Sequence, residues 1–338
     1  MAEIREIKII GIDIGGTKCS VSLGFFYKDR RGLHARISDK EIFPTNECGS
    51  ALITLKKIKD TIFALISRNG ISDIKDISGT GISCGGPLDT KKGVIMSPPN
   101  LPGWDNVEIV KYFEKETGIS AVLQNDANAC AIAEWKFGIA RGKNNVVFLT
   151  FGTGMGAGLI IDGRLYSGTA GMAGEAGHIR LAERGPCGYG KKGSFEGFCS
   201  GGGIKQMAEI LTGNILRKGG KLPAFSNESD PFNFDARTLA DSAEKGDSHA
   251  LSIYRKSGKY LGRGLAVIID ILNPEIIVIG SIFARSEGLL RKTMMKTLEK
   301  ECLSTSLLSC LITAPGLGEN IGDYGAMASA LYGKGMLR

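Results

Sequence analysis

Two stretches of the chain share a device that restricts what it can fold into. Lys8–Thr17 reads KIIGIDIGGT and Val146–Gly158 reads VVFLTFGTGMGAG. Each is an apolar strand that enters a Gly-Thr turn and leaves as a second strand. A turn of such small residues brings backbone N–H groups to an anion with no Cβ in the way. Used twice, it implies two related lobes that each offer amides to a phosphate chain, with a nucleotide cleft between them. Two narrower readings fail. A dinucleotide fingerprint needs a helix directly after its glycines, whereas GTGMGAG is followed by LIIDGRLY, in which Asp162-Gly163 is a hairpin signal. The chain also has no GxxxxGK[ST], so it carries no P-loop.

At 338 residues the chain is long enough for two domains, at about 100–200 residues each. The 48 glycines collect at strand ends, where backbone turns sharply or meets a ligand. A net charge of +7, scattered in short pairs such as Arg30-Arg31, Lys56-Lys57 and Lys191-Lys192, suits an anionic substrate better than nucleic acid. No helix-turn-helix-like segment precedes the first strand. MAEIREIK contains acids and no apolar core, unlike a signal peptide. The most apolar later run, Leu265–Gly280, is broken by Asp270, Asn273, Pro274 and Glu275, so no membrane partner is expected. Eight dispersed cysteines read as reduced thiols of a cytoplasmic protein.

Periodicity predicts three antiparallel strands over 7–14, 20–26 and 34–43, a helix over 51–67 and a strand over 77–82. The Pro- and Gly-rich loop CGGPLDTKKGVIMSPPNLPGW follows. A helix is expected over 106–117, a strand over 121–123 and a helix over 127–137. The pattern then restarts with strands over 146–151, 157–161 and 164–166. Later helices are expected over 204–216, 236–244, 248–272, 288–303 and 324–331, with strands over 276–279 and 308–313. Hairpin-linked strands followed by helix–strand alternation argue for an α/β protein with a mixed sheet flanked by helices in each lobe. The lobe boundary is expected near Asp126: residues 1–125 with 320–338 in one lobe, and 126–319 in the other.

Gln124-Asn125-Asp126-Ala127-Asn128-Ala129 follows a strand and opens a helix. Asn and Asp are favoured helix N-caps. A carboxylate at a strand's carboxyl end also suits a general base for a hydroxyl. Both readings fit the spacing. Asp13, at the end of the first strand, could hold Mg²⁺ through water, since hard cations prefer carboxylate oxygen. Thr17 and Thr153 add hydroxyls at the turns.

DIGGTK at Asp13–Lys18, PPNLPGW at Pro98–Trp104, QNDANA at Gln124–Ala129, FGTGMGAG at Phe151–Gly158 and EAGH at Glu175–His178 occur in one order. In this the chain resembles the ROK family of sugar kinases along essentially its whole length. The resemblance implies a two-lobed actin-like (ribonuclease-H-like) ATPase fold that binds ATP and Mg²⁺ and phosphorylates a hexose or N-acetylated hexosamine, commonly at the 6-hydroxyl. It implies Asp126 as general base, with Gly86, Asn100, Asn125, Glu175, His178 and Glu196 around the sugar. It places Asp13, Gly15, Gly16, Thr17, Lys18, Gly152, Thr153, Gly154, Gly156, Gly202 and Gly280 at the nucleotide, and it implies a homodimer. A non-catalytic sugar-binding or regulatory member of the same family is the alternative.

The sequence departs from that family at two places. Many members hold a structural zinc through the motif's His and three Cys in a CxCGxxGCxE pattern. Here Tyr189 and Ser194 stand where two thiolates would be, leaving His178 and Cys187. Two ligands do not close a tetrahedral site, and Cys199 would make only three. No zinc is expected, and Tyr189 and Phe195 are expected to anchor the loop instead. After the strand over 276–279, where paired glycines are usual, the chain has Gly280 and then Ser281.

Overall fold

Alternation along the first strand decides where its functional residue points. In the computed structural model, which describes residues 6–29, 32–45 and 49–337, β1 is Ile7–Ile14. Ile10, Ile12 and Ile14 join one core cluster, while Ile9 joins another on the opposite face. A period of two then puts Asp13 on the face of Ile9 and Gly11. The Met1–Arg5 part of the N-terminal reading, the Arg30-Arg31 pair and Cys48 lie outside the described residues.

The chain divides into two compact units. The first comprises the residues to Asn144, Gly158–Ala173 and the chain from Pro315; the second comprises Asn145–Ala157 and Gly174–Ala314. In the first unit, β1 pairs antiparallel with β2 (Lys18–Asp29), which pairs antiparallel with β3 (Gly32–Pro44). Helix α1 (Ala51–Arg68) follows, then β4 (Ile77–Cys84), the short pair β5 (Leu88–Asp89) and β6 (Val94–Ile95), and helix α2 (Ile109–Thr117). Strand β7 (Ala121–Asn125) runs directly into α3 (Asp126–Lys136). The sheet order is β3-β2-β1-β4-β7, with β1, β4 and β7 parallel.

The chain next forms β8 (Val146–Leu149) in the second unit, then the hairpin β9 (Ala157–Ile161) and β10 (Arg164–Leu165), so the expected strand, glycine turn, strand, turn, strand order recurs. A small hairpin, β11 (Cys187–Gly188) and β12 (Lys191–Lys192), precedes the short helix α4 (Phe195–Phe198). Helices α5 (Gly201–Arg217), α6 (Ala236–Glu244) and α7 (Ser248–Leu272) lead to β13 (Ile276–Ile279), which lies parallel to β8. Helix α8 (Ile282–Glu301) begins before Gly288, with a non-helical residue at Ser286. The exposed Gly288 therefore tolerates a helix interior, and the expected start at 288 moves upstream. The expected strand over 308–313 shrinks to β14 (Leu311–Thr313), because α9 (Ser304–Leu308) takes the preceding residues and leaves Leu308 exposed.

The last helix, α10 (Ile321–Gly333), lies against β1 and β4 of the first unit. It does so because the strands lack side chains beneath it. A Cβ on Gly81 would meet the Ala326 carbonyl oxygen at 1.8 Å, and Cβ atoms on Gly11 and Gly24 would strike Met327. Gly325 in turn lets α10 touch the α3 backbone at Ala129. Helix α3 thus packs with the first unit, although the sequence reading drew the line at Asp126. Among the described residues no helix is long and apolar enough to cross a membrane.

Candidate active site

Three parallel strands of the first unit end in register. Ile14 pairs with Cys84, and Cys84 with Asn125. The turn at Gly15–Thr17, the loop at Gly85–Gly86 and the β7–α3 junction at Asn125–Asp126 therefore leave one end of the sheet together. Strand carboxyl ends are where α/β proteins place ligands.

At the first of these ends, Asp13 pairs with Ser83 across the sheet. Helix α10 delivers two more residues to it. A Cβ on Gly322 would lie 2.4 Å from Asp13 Oδ2, so only glycine admits that carboxylate. Asp323 follows, its Oδ1 accepting from Ser20 Oγ at 2.5 Å and its Oδ2 from Lys40 Nζ at 3.1 Å. Burial, then the charge of Asp323, push the Asp13 carboxyl up to about 7. The Ser83 hydroxyl beside it pulls the other way but makes no hydrogen bond of normal geometry. A carboxylate disfavoured in this way gains from a cation. Among the described residues no group of three or more His, Cys, Asp or Glu converges as metal ligands.

The turn beside Asp13 is closed by Gly15 N–H donating to the Lys18 carbonyl at 3.0 Å. Gly16 and Thr17 N–H have no partner among the described residues. A Cβ on Gly16 would meet the Asn100 carbonyl oxygen at 2.6 Å, so the PPNLPGW loop packs directly on the turn. Trp104 and Leu101 of that loop are buried, and Trp104 N–H donates to the Leu101 carbonyl at 3.2 Å. Asn100 itself stays exposed.

Asn125 is the N-cap of α3: its Oδ1 accepts from Ala127 N–H at 3.0 Å and Asn128 N–H at 3.2 Å. That leaves the Asn125 amide nitrogen as a donor near Gly86, where an added Cβ would sit 3.9 Å from it. Asp126 is the first helical residue, and burial raises its carboxyl above the usual range against hydrogen bonds that lower it, Ala127 N–H first. Gly85, which sequence reading passed over, sits between Asn100 Nδ2 and Asp126 Oδ2; a Cβ there would be 3.8 and 4.0 Å from them. The first unit thus gathers Gly86, Asn100, Asn125 and Asp126.

The second unit gathers Glu175, His178 and Glu196. Glu175 precedes and His178 ends a single 3-10 turn, Ala176–His178. Gly177 inside that turn lies against Glu196, where an added Cβ would be 3.2 Å from the Glu196 Cβ. Glu196 Oε2 accepts from Met155 N–H at 2.9 Å, which ties it to the second glycine turn. That turn closes with Gly152 N–H donating to the Gly154 carbonyl at 3.1 Å, and Gly156 N–H donates to Thr150 Oγ1 at 2.8 Å. Thr153 and Gly154 N–H have no partner among the described residues.

The N-terminus of α5 is joined to this turn by Gly201 N–H donating to the Gly152 carbonyl at 2.8 Å. Ser200 Oγ caps Gly203 N–H, and the Gly202 amide between them has no partner among the described residues. Ser281 at the start of α8 is also near, 3.5 Å from a Cβ built on Gly152. Its φ of 56° lies where L residues are strained, which is the physical reason glycine suits that position. Amides of a glycine turn and a helix N-terminus together favour an anion.

Residues 9–332 match the profile of the ROK family. The chain belongs to the ROK family. It is 31% identical over 326 residues to the glucokinase of Thermotoga maritima, covering 95% of this chain and 96% of that enzyme. It is 31% identical over 284 residues to the N-acetylmannosamine kinase of Shigella flexneri, covering 83% of this chain and 85% of that one. The crystal structure of a ROK glucokinase from Streptomyces griseus in complex with glucose and AMPPNP superposes with a TM-score of 0.71 at 28% identity, covering 96% of this chain and 99% of that one. The fold is that of the actin-like ROK sugar kinases, and this ROK protein is a carbohydrate kinase.

The family's zinc does not fit the residues present. Tyr189 is exposed at 64% and Ser194 is fully buried, its hydroxyl accepting from Gly197 N–H at 3.1 Å. Cys199 is buried against the Ser257 carbonyl, and burial pushes its thiol up, away from the thiolate a metal needs. Phe195 does anchor the loop, its ring filling the space a Gly264 side chain would take. Tyr189 does not reach the core; its ring stands edge-on to His178 at 6.2 Å. Sequence reading also missed Asp323, Gly322 and Ser83, none of which carries a local motif.

Proposed function

We propose that this ROK protein transfers the γ-phosphoryl group of ATP to the 6-hydroxyl of a hexose, with Asp126 as general base. The observation that carries the reading is the gathering of Asn100, Asn125 and Asp126 around Gly85-Gly86, with the helix cap supplied by Asn125, so that the Asp126 carboxylate is not the cap. Asp126 takes the hydroxyl proton as the sugar oxygen bonds to the γ-phosphorus and the bond to the β,γ-bridging oxygen breaks, releasing ADP. A carboxyl raised by burial is a better base than one in water. Asn125 Nδ2 and Asn100 donate to sugar hydroxyls, and Glu175, His178 and Glu196 bind others. A site built for hydroxyls discriminates against sugars lacking them.

Phosphoryl transfer asks the protein chiefly to position groups and offset charge. The unpartnered amides of Gly16, Thr17, Thr153, Gly154 and Gly202 suit the phosphates, with Lys18 and Gly280 alongside. Mg²⁺, when bound, would be held by Asp13 and would supply neutralising charge to the phosphates. The T. maritima and S. flexneri relatives define the panel that tests the reading: glucose, mannose, fructose, N-acetylglucosamine and N-acetylmannosamine with Mg-ATP. ADP release with one of them, and phosphorus NMR that places the new ester at the 6-oxygen, is the expected result. No release with any would refute it. The proposal includes a cytoplasmic homodimer, which light scattering tests through the solution mass.

A further inference from the structure

The β11–β12 hairpin occupies the stretch where related chains carry zinc ligands, and it is seated by side chains. Tyr189 and Gly190 form its two-residue tip with φ of 43° and 75°, the pair of positive values that a type I′ turn requires. At its base, the Gln206 side chain of α5 binds Cys187 at both backbone groups. Gln206 Oε1 accepts from Cys187 N–H at 2.9 Å, and its Nε2 donates to the Cys187 carbonyl at 2.8 Å. The amide thereby stands in for a third strand. Lys191 Nζ donates to the His178 carbonyl at 2.7 Å, and Ser194 Oγ lies 3.4 Å from the Gly188 carbonyl oxygen.

The seat of the hairpin reaches the sugar-binding carboxylate directly. Gly188, next to Cys187, lies on the Glu196 stem so closely that a Cβ would be 2.7 Å from Glu196 Cβ. The contacts run from Gln206 through Cys187 and Gly188 to Glu196, and from Glu196 to Met155 N–H.

We infer that Gln206 is a positioning residue for the sugar: its amide, with no metal ion, seats the 187–192 hairpin and so holds Glu196 and His178 in place. The inference rests on the proposed sugar-binding role of those two residues. The test compares wild type with Gln206→Ala, a change that preserves helix propensity. The sugar KM should rise roughly tenfold, the scale on which orienting partners act, while kcat and the ATP KM stay unchanged. Amide exchange at Cys187 should accelerate in the variant. Elemental analysis of wild type should show no stoichiometric zinc, and phenanthroline treatment before assay should leave the sugar KM unaltered. An unchanged sugar KM in Gln206→Ala, or stoichiometric zinc whose removal weakens sugar binding, would overturn it. If wild type phosphorylates no hexose, the proposed function fails, and Cys187 exchange still decides whether Gln206 seats the hairpin.

Discussion

The two glycine turns are built alike and surrounded differently. Each carries a closing backbone bond, Gly15 N–H to Lys18 and Gly152 N–H to Gly154, and each leaves two successive amides unpartnered among the described residues. The first is preceded by a carboxylate that lies beside a second one, Asp13 and Asp323. The second is preceded by the buried Phe151, and its next amide, at Met155, is already bonded to Glu196. On the proposed reading, the first turn takes a cation with its phosphates and the second an anion alone. Sequence similarity between the turns conceals this difference, because the decisive neighbours lie on other elements.

That contrast can be broken on the first side most severely by Gly322→Ala. The added Cβ would displace the Asp13 carboxylate from 2.4 Å, and a misplacement of that size is expected to lower kcat about a hundredfold. Steady-state rates at saturating Mg-ATP check it.

Next come matched changes in the turns themselves. Gly16→Ala forces a Cβ onto backbone of Asn100 at 2.6 Å, whereas Gly154→Ala meets only the Glu196 carboxylate oxygen at 2.9 Å. Both should raise the sugar KM, with Gly16→Ala giving the larger change, roughly tenfold or more. The reverse order would show that the second turn, not the first, sets the sugar site.

Smallest is a stability effect confined to the first turn. The Asp13 carboxyl is raised from 3.8 to about 7 in the folded chain. Folding therefore disfavours its ionised form. The cost is absent below the unfolded value, grows between the two, and is full above about 7. Asp13→Asn should stabilise the Mg²⁺-free protein, by about 2 kcal/mol once partial exposure is allowed for. The gain should vanish as pH falls toward 4, the range of the unfolded carboxyl. Thermal melts of both proteins across that range, with and without Mg²⁺, measure it.

Local pattern carried much of this architecture. Alternation in IKIIGIDI and the repeated glycine turns implied the strands and their ends, and QNDANA marked a helix start. Spacing could not divide Asn125 from Asp126, because both are good caps; Ala127 N–H reaches both side chains, and only the Asn128 N–H bond to Asn125 assigns the role. Asp323, Gly322 and Gln206 were illegible for a different reason. Each acts on a residue far away in sequence, through contacts that exist only once α10 lies on β1 or α5 beside the β11–β12 hairpin. The start of α8 was misplaced because Gly288 reads as a helix boundary, whereas in the fold it is solvent-facing with nothing to clash.

Asp126→Asn, measured for both ADP release and hexose binding by calorimetry, separates chemistry from binding. Hexose affinity should stay close to wild type and turnover should fall by about a thousandfold or more, the scale of a lost general base. Wild-type turnover in that variant would contradict Asp126 as the base.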